Sequence, residues 1–553
     1  MQKRMILALL AVVCVLPLSA QVSKSSGQSD AQKEFEQWRK GAYKRYDDFR
    51  KQALLEYSDF VRQAWKEFGV EPAVPMPVEE EVMPMLAPHA DAETASWFSK
   101  LMGAFSKRKS TPPTASDSKQ GPTAKPAAPP APKPQAKPAK QPQAKPAEQP
   151  KKQPEALPVK QVIKAEPVIP QPQPLAEVKE ETFMANDYMS FDVFGTECRV
   201  RIGPNCRFEL KSVSSNDVAD AMKEFVNTQY DNLLYDCLQE RKRHAFSDWA
   251  YYQMLLALTN KFYGDGTPQA ALALAFLYSQ SGYKMRLAHD ESHLYMLAAT
   301  RHFIYGRPYF VLDGDWYFMF DGKTSDKLGI CEAAFPKESS LSLQISAEQL
   351  LAANPTPQRT ITSRRYPEFS FTVSSNKNYM AFYETYPSSC VDQNFMTRWA
   401  MYANTPLEKE LRQQLYPVMK EKIQGLNKLQ AMERMLNWVQ TGLEYQFDEE
   451  VWGADRAFFG EETLYYPFCD CEDRSILLSH LVRDLLDLDV VLVYYPGHLA
   501  MAVAFDEEVR GDYIPVDGRK FTVCDPTYIG GYVGETMPMV KDQPTTVILL
   551  QKS

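Results

Sequence analysis

Phe468-Cys469-Asp470-Cys471-Glu472-Asp473-Arg474-Ser475 runs without a break into Ile476-Leu477-Leu478, Leu481-Val482 and Leu485-Leu486. The apolar positions after Ser475 recur at helical spacing, so the quoted octet is where a helix begins. Asp473, in the first turn, is an ordinary helix-start residue. A cysteine placed there has chemical consequences. The free N–H groups and the positive end of a helix favour a thiolate, and the thiolate is the nucleophilic form of cysteine. Asp470 and Glu472 oppose that charge, which calls for a cationic partner such as a protonated histidine.

Downstream, residues 490–495 read as a strand, Pro496-Gly497 as a turn, and His498 opens a second strand over residues 499–505. A hairpin at Asp517-Gly518 leads back through Phe521-Thr522-Val523-Cys524 to Asp525-Pro526-Thr527. A histidine at the start of one strand and an aspartate at the end of its neighbour can meet side by side. The aspartate then orients the imidazole, and Nε2 is expected to face the sulfur.

Cys-x-Asp-x-Ser on a helix, then His on a strand, then Asp-Pro-Thr resembles the transglutaminase-like superfamily of papain-like thiol proteins. Asp470-Cys471-Glu472-Asp473 looks like bacterial members in which Gly-Asp-Cys-Glu-Asp is common, with Cys469 here replacing the glycine. The resemblance covers roughly residues 405–553. It implies acyl transfer by a thiol: attack on an amide, a thioester intermediate, then release to water or an amine. It also implies roles. Cys471 is the nucleophile, His498 the general base and acid, and Asp525 the orienting group. Cys469 is the rival nucleophile, but it precedes the helix and lacks the Cys-x-Asp-x-Ser context. The family needs an oxyanion donor. The Cys471 backbone N–H is one, with Tyr465, Tyr466 and Trp452 as open side-chain choices. His480, further along the helix, reads as exposed and inert.

An internal echo widens the picture. Tyr309-Phe-Val-Leu-Asp313-Gly314-Asp-Trp-Tyr-Phe-Met-Phe-Asp321 aligns without a gap on Tyr513-Ile-Pro-Val-Asp517-Gly518-Arg-Lys-Phe-Thr-Val-Cys-Asp525. One residue out of that register, His293-Leu-Tyr-Met matches His498-Leu-Ala-Met. Helical stretches precede both copies, with Trp249 before the first and Trp438 before the second. The expected fold is α+β: a catalytic module at residues 366–553, preceded by a degenerate copy at 186–330. In that copy Cys471 projects onto Asp265, so it should be catalytically silent.

The N-terminal third is of another kind. A basic start, an apolar run over residues 5–18 and Ser19-Ala20 read as a signal peptide, residues 1–20, implying export to a bacterial periplasm or surface. Phe35, Trp38, Ala42, Tyr46, Phe49, Ala53, Tyr57, Phe60, Ala64 and Phe68 repeat at steps of 3, 4, 4. This 11-residue period predicts a helical segment within residues 30–105, whose aromatic face over 31–68 docks on the body, a partner or another copy. Residues 107–174 hold 18 of the 40 prolines, no aromatic residue, and 13 Lys/Arg against 4 Asp/Glu. That composition predicts a disordered, extended tether.

The formal charge of −8 does not suggest a nucleic-acid partner. Nine cysteines in 553 residues are not a disulfide framework. No CxxC…CxxC or HExxH pattern points to a metal, no cofactor is implied, and no stretch after the signal is long and apolar enough to span a membrane. The expected activity is an exported cysteine peptidase or amidase, favoured over a cross-linking transglutaminase, with a peptide or protein substrate. The alternative is a binding or scaffold protein that keeps the fold without turnover.

Overall fold

The two apolar runs flanking Pro496-Gly497 pair antiparallel, Asp489–Tyr495 with His498–Ala504, in a register from Tyr495↔His498 to Asp489↔Ala504. Every residue of His498–Ala504 is buried. One face of this pair meets a core of Val491, Val493, Ala500, Ala502 and Val523, and the helix Cys471–Leu486 packs against both strands. Such strands, covered on both faces, read as continuous apolar runs rather than alternating ones. A computed structural model describes residues 30–108, 155–180, 188–228, 230–320 and 327–551. The expected signal segment, residues 1–20, lies outside them.

The architecture is mixed α+β, built around two six-stranded sheets. The C-terminal sheet has the order Tyr513–Val516, Arg519–Cys524, His498–Ala504, Asp489–Tyr495, Thr545–Leu549, Val159–Ile163. The other has the order Tyr309–Leu312, Asp315–Met319, Leu294–Thr300, Met285–His289, Lys327–Cys331, Trp65–Gly69. Each contains the hairpin read from the sequence. Asp313-Gly314 and Asp517-Gly518 all have positive φ (53°, 86°, 48° and 76°), as a two-residue turn matched to strand twist requires. Leu312 pairs with Asp315 and Val516 with Arg519. The inner pairs correspond as well: Met285↔Ala298 in one sheet and Val490↔Val503 in the other. A helix packs on each sheet, Pro268–Gln280 and Cys471–Leu486, and a second helix packs on each of these, Asp248–Tyr263 and Lys428–Gly442. Trp249 and Trp438 are both buried in that second layer.

The boundary expected at residue 366 falls inside a hairpin, Arg359–Thr362 paired with Ser370–Val373. Trp438 Nε1 donates to the Ile361 carbonyl at 2.9 Å, which ties the earlier strand to the C-terminal half.

The N-terminal third departs further from expectation. The described residues divide into two units, one ending at Glu56 and the other starting at Tyr57. The helix Asp30–Val61 crosses that division and stops before the repeat does. Trp65–Gly69, expected as helix, is a strand paired with Lys327–Cys331. The open sheet edge outweighs the local helical period. Within the described helix, Phe49 and Phe60 are about half exposed and Ser58 and Val61 are buried, while Tyr57 of the repeat stacks on Phe335 and donates to the Ala333 carbonyl at 3.2 Å. Side chains at Phe35, Trp38, Ala42 and Tyr46 lie outside the description. Beyond the strand the chain runs extended to Ala87, and a second helix spans Ala92–Arg108.

Part of the segment expected as a tether, residues 107–174, is built into the fold instead. Residues 109–154 lie outside the described residues, but Val159–Ile163 forms a parallel edge strand on Thr545–Leu549, and Leu157 is 3% exposed within the C-terminal core. Proline-rich sequence that cannot fold alone still pairs with an edge offered to it. All eight cysteines after Cys14 are buried and free. No described helix is long and apolar enough to cross a membrane.

The docked end of the tether is open to test. Leu157→Ala in the full chain should destabilise the fold by about 2–4 kcal/mol, read from urea unfolding. An unchanged midpoint would mean that residues 155–163 hang free.

Candidate functional site

Cys471 is the first residue of its helix, and one turn later the chain is tied back to the histidine strand. Ser475 Oγ donates to the Leu499 carbonyl at 3.0 Å, and the Leu499 N–H donates to Cys471 Sγ at 3.4 Å. The helix start and the strand that begins with His498 are therefore joined in both directions. Arg474, fully buried, donates to the carbonyls of Gln440, Leu443 and Pro526 at 3.2, 2.9 and 3.3 Å. Gln440 Nε2 in turn donates to the carbonyls of Asp525 and Tyr528 at 3.0 and 2.8 Å. The turn carrying Asp525 is held from the helix side by these two residues.

His498 Nε2 lies 3.0 Å from Asp525 Oδ2, and both side chains are buried. The other carboxylate oxygen accepts from the Thr527 and Tyr528 N–H groups at 2.8 and 3.3 Å. The aspartate is thus fixed by its own turn. The ring orientation corrects the sequence reading: Nε2, expected at the sulfur, is at Asp525. With the proton on Nε2 directed to the carboxylate, Nδ1 is left as a bare acceptor. It is buried and has no hydrogen-bond partner. Cys471 and His498 line the same cavity, of about 40 Å³. In this closed arrangement the thiol donates to Glu472 Oε2 at 3.2 Å.

The electrostatics around the sulfur also differ from expectation. Cys471 is 3% exposed, not partly open. Burial, with Glu472, Asp470 and Glu81 close by, pushes its pKa well above the ordinary thiol value, and the Leu499 N–H offsets this only in part. The helix end favours a thiolate, but desolvation and three carboxyl groups outweigh it. The same crowding acts on the acids. Burial, together with neighbouring carboxylates, raises Asp448 to about 9 and Glu81 to about 8, and holds Asp470 and Asp473 well above the usual range. Asp473 accepts from the Phe458 N–H at 2.8 Å and the Asp470 N–H at 3.2 Å, so it ties the preceding loop to the helix.

The counter-charge is Arg398, whose guanidinium pairs with both Asp455 oxygens at 2.8 Å and with Glu472 at 3.3 Å. It also lies over the rings of Phe395 and Trp399. Asp448, Asp455 and Glu472 bring carboxylate oxygens within 4.8 Å of one another, a donor set able to take a cation. Arg398 already pairs with two of the three.

Several site residues escaped the sequence reading. Arg398, Trp399, Tyr494, Glu79 and Glu81 line the cavity, and only their adjacency in the fold reveals it. Trp452 and Tyr466, open choices for an oxyanion donor, pack on Phe458 and Arg456 instead. They do not line the cavity, and neither does Tyr465. Cys469 Sγ points to the Glu444 carbonyl at 3.5 Å, away from it. His480, expected at the surface, is buried and held neutral by burial, its pKa lowered to about 3.

In the other sheet His293 is exposed and bonded to Asp290 at 3.2 Å. Asp265 sits in an exposed turn ahead of its helix, and Asp321 lies outside the described residues. No family model, curated protein or solved structure matches the chain.

A raised thiol pKa has a direct signature. Alkylation of Cys471 by a small reagent should rise about tenfold per pH unit from pH 7 through 9, because thiolate stays the minor form throughout. Mass spectrometry of the modified peptide follows it, and a plateau near neutral pH would show a preformed thiolate. The acids add a second trend. Glu81 and Asp448 have folded pKa values above their unfolded ones, so the native state binds more protons between pH 4 and 9. Their contribution is present at the acid end of that window and is lost as pH rises through it. The melting temperature should be higher at pH 5.5 than at pH 8.5.

Proposed function

We propose that the chain is an exported thiol acyl-transfer enzyme of transglutaminase-like type, a cysteine peptidase or amidase rather than a cross-linking enzyme. The single observation that carries this reading is the buried His498–Asp525 pair, which leaves Nδ1 bare beside the cavity that Cys471 also lines. In the proposed reaction the Cys471 proton passes to Nδ1 as the sulfur attacks an amide carbonyl. The Cys471 N–H receives the developing oxyanion. Collapse to the thioester expels the amine, which takes the proton back from the imidazolium, and water or a second amine then attacks the thioester with His498 as base. Asp525 keeps the ring in the tautomer that can accept.

The two sheets, with their matching hairpins and helix layers, support reading residues 186–330 and the C-terminal half as two copies of one module. In this reading only the C-terminal copy keeps the chemistry. The exposed His293 fits a first copy used as a platform. Residues 1–20 support export to a bacterial periplasm or surface, and the helix within 31–68 offers a face for a partner or a second copy. No substrate identity follows from these features beyond a peptide or protein amide.

A second reading, a binding or scaffold protein, draws on a specific observation: the sulfur is buried beside carboxyl groups that oppose its ionisation. The two readings part on thiol chemistry. Cys471→Ala should abolish labelling by an electrophilic amide probe and hydrolysis of a peptide amide while the fold persists. Cys469→Ser should keep most of both. Asp525→Asn should lower kcat by roughly two orders of magnitude or more by releasing the imidazole tautomer. A dead Cys469→Ser variant would transfer the nucleophile to Cys469, and a wild-type protein inert to probe and amide alike would favour the scaffold.

A further inference from the structure

The cavity at Cys471 is roofed by a segment that comes from far upstream. Residues 70–84 run extended, with prolines at 72, 75, 77 and 84, between two anchors. One is the strand Trp65–Gly69 in the first sheet, and the other is Met85–Leu86, which pairs with Tyr528–Ile529 just after Asp525. Val78, Glu79 and Glu81 form one wall of the cavity. The cavity is partly open to solvent, but the space within it, about 40 Å³, holds a water molecule or so and no amide-bearing chain.

The hold on this segment is slight. The Val82 N–H donates to the Gly497 carbonyl at 2.9 Å, and the Gly497 N–H donates to Glu79 Oε2 at 3.1 Å. Further back, Gly306 N–H reaches the Val74 carbonyl at 2.9 Å and Arg398 touches the Met76 sulfur at 3.2 Å. Val78 is 73% exposed, whereas Val82, at the far end of the stretch, packs partly buried on the C-terminal core. Gly497 is shaped to receive it. A Cβ there would fall 2.1 Å from the Glu80 carbonyl oxygen, and its φ is +72°. The turn immediately before His498 is therefore fitted to the strap as well as to its own strands.

We propose that residues 74–82 are an autoinhibitory strap that closes the Cys471 cleft and must lift from Gly497 before a peptide-sized substrate can reach the sulfur. This rests on the thiol-enzyme reading and adds its regulation. Two effects work together. The strap fills the space a substrate chain needs, and it brings the Glu81 carboxyl to a sulfur already faced by Asp470 and Glu472. Lifting it admits water to the sulfur, and hydration favours the thiolate. The two anchors lie outside the stretch that moves, so opening requires no strand to be broken.

The test uses the full chain with Glu79→Ala alone and with Glu79→Ala/Val82→Pro, which remove the side-chain acceptor and the backbone donor facing Gly497. Thermal unfolding establishes that each variant is folded. Labelling of Cys471 by a bulky biotin–maleimide should be at least about tenfold faster in the double variant than in wild type, with the single variant between. A synthetic peptide of residues 74–83 should slow it again. Equal labelling of wild type and both folded variants would overturn the strap, whatever the amide turnover. Faster labelling without turnover of any peptide amide would leave the strap standing and remove the enzyme reading.

Discussion

The buried guanidinium of Arg474 sets the geometry on which the site depends. It has no carboxylate partner among its hydrogen bonds; its charge is met by three carbonyls and by the Tyr445 ring at 5.1 Å. Hydrogen bonds to a charged donor contribute more than neutral ones, and a buried charge without them is strongly destabilising. The carbonyls belong to two distant pieces of chain: the end of the helix Lys428–Gly442 with the residue after it, and the turn following Asp525. One side chain at the helix start thus sets where the helix layer ends and where the aspartate turn lies. Gln440 repeats the link from the opposite side, reaching the same turn with three donor contacts. Ser475 then completes the frame by fixing the histidine strand.

Much of this was legible because it is local. The helix after Cys471 follows from apolar spacing, the hairpins from Asp-Gly, and the meeting of His498 with Asp525 from the neighbouring strands that bear them. What escaped the reading depends on crossings between distant segments. The composition of residues 107–174 leads to the expectation of a tether. It is silent on whether another element offers an edge, and the strand Thr545–Leu549 offers one to Val159–Ile163. Val159, Val162 and Ile163 stand out as β-formers in a tract of Ala, Pro, Lys and Gln, which is the signal that could have marked it. The aromatic 11-residue repeat misled in the opposite way. It continues through Phe68, but a strand vacancy beside Lys327–Cys331 takes the last repeat out of the helix.

The imidazole orientation and the state of the thiol were beyond any pattern in the chain. Which ring nitrogen meets the carboxylate depends on whether the strand presents Asp525 beside or beyond the ring, a matter of a few ångströms. The thiol's protonation depends on how many carboxyl groups crowd one volume. Asp470 and Glu472 were visible beside Cys471, and their opposition was read correctly. Glu81 arrives from almost four hundred residues upstream, and Arg398 answers Asp455 and Glu472 rather than the sulfur.

The closed site therefore joins two conditions that pull apart. On the histidine side the arrangement is complete: Asp525 is held by its own turn, and the ring is held by Asp525. On the sulfur side it is not, because desolvation and acidic neighbours keep the proton on Cys471. Glu81 adds to this from the face covered by residues 78–82, whereas Asp470 and Glu472 belong to the helix start itself, which Arg474, Gln440 and Ser475 fix from beneath. Hydration of that one face changes the sulfur's environment without moving the base. Under the proposed strap, a cover that lifts from this framework would leave the thiol silent in one state and, in the proposed reaction, matched to its histidine in the other.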